Sequence, residues 1–203
     1  MDEHTQADVN AVGDVVLTDP AAMRALADPF RLALHDQLRR RGPATVEQLA
    51  GRLRKQPRAV REHLEQMERA GLVQCRTREP QAETTWEAVG KGFVFEIPAD
   101  PIGQAAAREL SRAMFLHYAD VPRRWANEVE PRLEVDWARA AGLLNARLLV
   151  TADELNELQA ALERLIEPFL TRQADEGPGG AAHVRLLSYF MPEEGDDHRQ
   201  GLG

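Results

Sequence analysis

The chain has 203 residues, an ordinary apolar fraction of 43% and a formal net charge of −8. No uninterrupted apolar run reaches the ~18 residues that would span a bilayer, and the opening residues lack a basic segment followed by an apolar one, so neither a membrane span nor a secretory signal is expected. The single cysteine, Cys75, excludes an internal disulfide and a thiolate metal cage, and the expected location is the cytoplasm.

Residues 1–18 show neither periodicity nor apolar mass and read as a disordered tail; residues 1–19 carry five acids and no Lys or Arg. Asp19-Pro20 opens a short helix, because Asp caps well and Pro suits the first helical position. Asp28-Pro29 opens a second, with Phe30, Leu34 and Leu38 four residues apart, and Gly42-Pro43 stops it. Thr45-Val46-Glu47-Gln48 is a capping box, and Val46, Leu49, Ala50 and Leu53 continue from it at helical spacing. After a break of about three residues Pro57 starts a fourth helix, with Val60, Leu64 and Met67 inward and Gly71 at its end. Two helices joined by a tight turn, the second amphipathic with a cationic start, form a helix-turn-helix pattern.

The period then changes from 3.6 to 2. Val73, Cys75 and Thr77 alternate with Gln74, Arg76 and Arg78, the stretch 79–83 turns, and 84–89 runs back, a hairpin that reads as a wing. Cys75 is expected to point inward as a small buried residue. Residues 93–97 suit a short strand or a segment packed under the wing. This middle part, 20–98, carries 14 basic and 10 acidic side chains, whereas 99–203 carries 11 and 18, so the positive charge needed for phosphate is concentrated here.

A helix over 101–121 follows, with Ile102, Ala106, Leu110 and Met114 on one side, and Pro122 restarts or kinks it. Residues 131–145 fit both periods. Strands are expected at 147–150 and 184–190, around a helix that opens with the capping box Thr151 to Glu154 and runs to about 171. The fold class is therefore mainly α with a small β wing, a winged helix-turn-helix plus a C-terminal helical or mixed α+β region. The expected divisions are a tail at 1–18, a DNA-binding domain at 19–98, a dimerisation and effector region at 99–192, and an acidic tail at 193–203.

The run from Met23 to Arg31 with Leu34, the helix from Thr45 to Leu53, then Val60, His63-Leu64 and Glu68 to Val73 resemble the arsenic-repressor-like (ArsR-like) winged-helix family of bacterial transcriptional regulators. The resemblance covers about residues 20–98 and implies a repressor that binds double-stranded DNA as a homodimer at an inverted repeat. It departs from the metal-sensing members, because the third helix has no cysteine and His117 stands alone on its helix; no metal and no cofactor are expected. The acidic Glu79 and Glu83 also depart from the family's commonly basic wing tip.

A helix in the major groove offers its first turns to base edges, which here are Gln56, Arg58, Arg61 and Glu62. Arg can bond guanine bidentately and Glu can accept from cytosine; the competing use is an ion pair between Arg58 or Arg61 and Glu62 or Glu65 on a solvated face. His63 suits base contact or a packed or phosphate-bonded imidazole. Arg54 and Lys55 in the turn, and Arg76 and Arg78 on the wing, suit phosphate. Dimerisation is expected on Ile102, Ala106, Leu110 and Met114, and a small-molecule effector of unknown chemistry is allowed for.

No catalytic constellation can be placed, so no enzyme is expected. A methyltransferase carrying a winged helix for dimerisation would need a Gly-rich strand-to-helix turn, which Gly177-Pro178-Gly179-Gly180, after a helix, is not. A protein-interaction adaptor without DNA binding remains the alternative.

Overall fold

Three helices begin in the same way, with an aspartate whose carboxylate accepts the first exposed N–H groups and a proline that has none to offer. Asp19 caps α1 (Pro20–Leu26), Asp28 caps α2 (Pro29–Arg41) by accepting from Phe30 and Arg31, and Asp100 caps α5 (Pro101–Tyr118) by accepting from Ile102 and Gly103. Between them, α3 (Val46–Leu53) starts with the complete Thr45–Gln48 capping box and α4 (Pro57–Arg69) with Gln56-Pro57. The computed structural model describes residues 8–10, 13–77, 83–170, 172 and 177–193, in two compact units, 1–158 and 159–203.

The core of the first unit is built from the apolar faces the periodicity marks. Met23 and Leu26 of α1, Leu34 and Leu38 of α2, Leu49 of α3, and Val60, Leu64 and Met67 of α4 are buried together, with Leu72 closing the cluster behind α4. A hairpin follows, in which β2 (Val73–Thr77) pairs antiparallel with β3 (Thr84–Ala88). Its base is tied to the residue that leads into α3, because Ala44 and Trp86 exchange both backbone hydrogen bonds, at 2.9 and 2.8 Å. Those two bonds, with the buried Trp86 ring, fix the wing to the helix-turn-helix.

The expected tail at 1–18 ends earlier than its composition suggests. Val15–Leu17 forms β1, which pairs parallel with β4 (Phe93–Phe95), and Val15 and Leu17 are buried. Three residues carry little periodicity, and their partner lies far along the chain, so no local signal marks them.

Helix α5 packs along α1 and α2. Ala106, Ala107 and Leu110 are buried in the chain's own core, which withdraws Ala106 and Leu110 from the dimerisation face expected of them. Ile102 is exposed and Met114 half-buried. Near the end of α5, His117 Nε2 lies 3.3 Å from the buried Asp36 carboxylate of α2. Tyr118 donates its hydroxyl to Asp36 at 3.2 Å and Arg40 donates at 2.8 Å, so the carboxylate joins the two helices.

The chain breaks at Ala119 and continues as α6 (Asp120–Glu128), with Pro122 in a first turn that needs no N–H from it. A 3-10 turn, Glu130–Arg132, leads to α7 (Val135–Ala140), so the ambiguous stretch is α-helical over 135–140 and has no regular structure over 141–145. The capping box at Thr151 forms: Thr151 N–H donates to the Glu154 carboxylate at 2.7 Å and Glu154 N–H to the Thr151 hydroxyl at 3.2 Å, opening α8 (Ala152–Leu170). Residues 147–150 and 184–190, expected as strands, are assigned no regular structure. Alternation along one segment does not supply a partner, and ladder bonds are what define a strand. In the second unit Ala181 N–H closes a turn on the Pro178 carbonyl at 3.0 Å, and the Arg172 guanidinium lies 5.3 Å from the Phe169 ring centre. Among the described residues no helix is long and apolar enough to cross a membrane.

Candidate nucleic-acid interface

The turn between α3 and α4 is made by Arg54, at φ 54° and ψ 48°, in the left-handed region where a side chain is rarely accommodated. Its N–H and that of Lys55 both reach the Ala50 carbonyl, so this one residue ends α3 and turns the chain towards α4. Relieving the conformation with glycine gains about 1 kcal/mol, and the extra freedom of the unfolded chain takes back about 0.5 to 1 kcal/mol. Arg54→Gly is therefore expected to leave the thermal midpoint almost unchanged. If the side chain also meets phosphate, the same variant loses DNA affinity and about 0.9 of salt slope, which a binding titration over several salt concentrations reads directly.

At the start of α4, Gln56 is extended and makes no side-chain cap, and Pro57 has no N–H. The first turn thus leaves its backbone donors uncovered by a cap, at the positive end of the helix dipole, an arrangement suited to phosphate. Arg58 projects from this turn with 91% of its side chain exposed, and its Nε donates to Glu62 at 3.0 Å. The ion pair foreseen as the competing use of Arg58 does form, on an open surface where such pairs are weak. Arg61 is exposed and lines a shallow cleft with Glu47, Glu83 and Trp86, between the wing and the start of α3. Gln56, Arg54 and Lys55 are exposed as well.

His63 is placed differently from the arginines. Its ring meets Phe30 edge to face, with centroids 5.0 Å apart, and its Nδ1 is buried with no partner among the described residues. Lys55 Nζ lies 5.7 Å from the centre of the same Phe30 ring. Phe30, half-buried at the start of α2, is thus a platform for two residues of the candidate surface, and its place in the apolar stripe of α2 gave no sign of that role.

On the wing, Arg76 is exposed and pairs through Nε with Glu87, which also accepts from Gln74 Nε2 at 2.6 Å. The register accounts for this, since Gln74 lies directly opposite Glu87 and Arg76 is the next residue on that face. Glu87 was not singled out in the sequence; the hairpin register, once the turn was located, could have found it. Arg78 and Glu79 lie outside the described residues.

Cys75 corrects an expectation. It lies opposite Trp86 on the inward pleat, yet it is exposed, because the strand runs beyond the core that covers Val73 and Trp86. The partial desolvation left by its neighbours, and then the Glu68 carboxylate, push its thiol pKa up, with Arg61 opposing, so thiolate character is not favoured there.

Helices α2, α3 and α4 around one core, closed by an antiparallel hairpin, define a winged helix-turn-helix. A family profile described as a helix-turn-helix domain matches residues 26–76, the span from the end of α1 into β2, and points to a DNA-binding regulator rather than an enzyme. No curated protein matches the chain.

Proposed function

We propose that the protein is a sequence-specific transcriptional regulator of the ArsR-like kind, a repressor that binds an inverted-repeat operator as a homodimer. The observation that carries this reading is the uncapped first turn of α4, with Arg58 on it and Arg61 in the next turn, both exposed. A single winged helix reads only a few base pairs, so two copies on a two-fold site supply the discrimination a genome demands. In this reading residues 19–98 bind DNA and 99–192 serve dimerisation and any small-molecule effector, in the cytoplasm. Of the dimerisation residues, exposed Ile102 and half-buried Met114 remain available.

Selection from a random duplex pool, followed by light scattering of the complex, tests this. The expected result is an enriched inverted repeat bound by two copies. Recovery of no sequence preference, with no duplex retained at low salt, would favour the adaptor. That second reading draws on the carboxylates Glu62 and Glu83 beside the candidate cations.

A further inference from the structure

Three arginines of the candidate surface share their space with carboxylates of the same chain. Arg58 is paired with Glu62, and Arg76 with Glu87. Arg61 lines its cleft together with Glu47 and Glu83. In both ion pairs the arginine is the freer member: Arg58 is 91% exposed against 57% for Glu62, and Arg76 58% against 26% for Glu87. Glu87 is further fixed by Gln74, so on the wing the carboxylate is the fixed side from which the guanidinium must be drawn away.

We propose that Glu62 and Glu87 compete with phosphate for Arg58 and Arg76, and so restrain the sequence-independent part of duplex binding. The inference rests on the DNA-binding reading above. Phosphate offers acceptors only. An arginine that stays on its carboxylate brings no net charge to the backbone, and one that leaves bares a carboxylate charge beside the phosphates. Either way each pair lowers the number of counterions released on binding, the quantity that drives sequence-independent affinity. Exposed ion pairs are weak, so they restrain binding without abolishing it.

The two carboxylates differ in what a correct site can give them. Glu62 lies four residues after Arg58 on the helix that would enter the major groove, where cytosine N4 and adenine N6 present amino groups. When Arg58 takes a guanine, Glu62 can accept from such a neighbour and its charge is satisfied; over other sequences it is not. Glu62 therefore determines specificity. Glu87 belongs to the wing and not to that helix, and attenuates binding to every duplex alike.

The test compares the wild-type protein, Glu62→Gln and Glu87→Gln by fluorescence anisotropy. Each is titrated into a random-sequence duplex of about 30 base pairs and into the duplex selected by the wild type, from about 50 to 200 mM NaCl. Both variants are expected to hold the random duplex about 3- to 10-fold more tightly at the lowest salt, with slopes steeper by about 0.9. Glu87→Gln should gain equally on the selected duplex, whereas Glu62→Gln should gain nothing there and so lose discrimination. Wild-type affinity and slope on random duplex in both variants would overturn the proposal and leave the DNA-binding reading standing. Failure of the wild-type protein itself to hold any duplex would overturn both.

Discussion

Replacing both Arg58 and Arg61 with alanine is expected to lower affinity for the selected operator by about 100-fold, since a bidentate guanine contact is worth about 1 to 3 kcal/mol and 1.4 kcal/mol is a factor of ten. Both side chains are exposed, and the apolar side of α4, Val60, Leu64 and Met67, is untouched by the change. The thermal midpoint should therefore stay where it is, which separates lost recognition from lost folding. Repeating the selection with each single variant should flatten the base preference at a different position of the half-site. Anisotropy titrations in which the double variant keeps its affinity to within about twofold would show that these side chains do not read the operator.

The second large effect is one of acidity. His35 is buried in α2 with its ring edge to face against Phe93, centroids 5.3 Å apart, and its Nε2 has no partner among the described residues. Burial above all, and then the Arg39 charge, hold its pKa down to about 4. The unfolded chain binds this proton near 6.5, so stability is complete above that pH, declines as the pH falls towards 4, and changes no further from this source below it. At pH 5 the loss from this residue is about 2 kcal/mol. Urea denaturation at pH 7.5 and pH 5 should show the wild-type unfolding free energy falling, and His35→Leu, which has no proton to bind, should show a fall smaller by that amount. An equal fall in the two proteins would place the acid sensitivity elsewhere.

Much of the helical framework could be read locally. Asp28-Pro29 and the Thr45–Gln48 box carry their own hydrogen-bond partners within a few residues, and the structure satisfies them as the spacing implies. The stripe Val60, Leu64, Met67 likewise names its buried face without reference to anything distant. What escaped was set by tertiary neighbours. β1 exists because Phe93–Phe95 offers it an edge, Cys75 is exposed because the core stops short of it, and Ala106 and Leu110 are used internally because α1 lies against them. Arg54 escaped for another reason: a glycine would have announced the left-handed turn, and an arginine does not. For the candidate site, the identity of the exposed cations was legible, whereas their pairing with Glu62 remained one of two uses and the role of Glu87 needed the strand register.

The short parallel strand at Val15–Leu17 bears on where the chain can be cut. Deleting the first 18 residues would expose the Phe93–Phe95 backbone as a raw edge and uncover the apolar surface that Val15 and Leu17 fill, inviting chains to stick together. Expression of a minimal DNA-binding fragment should therefore keep this segment attached, and a solubility tag belongs upstream of it.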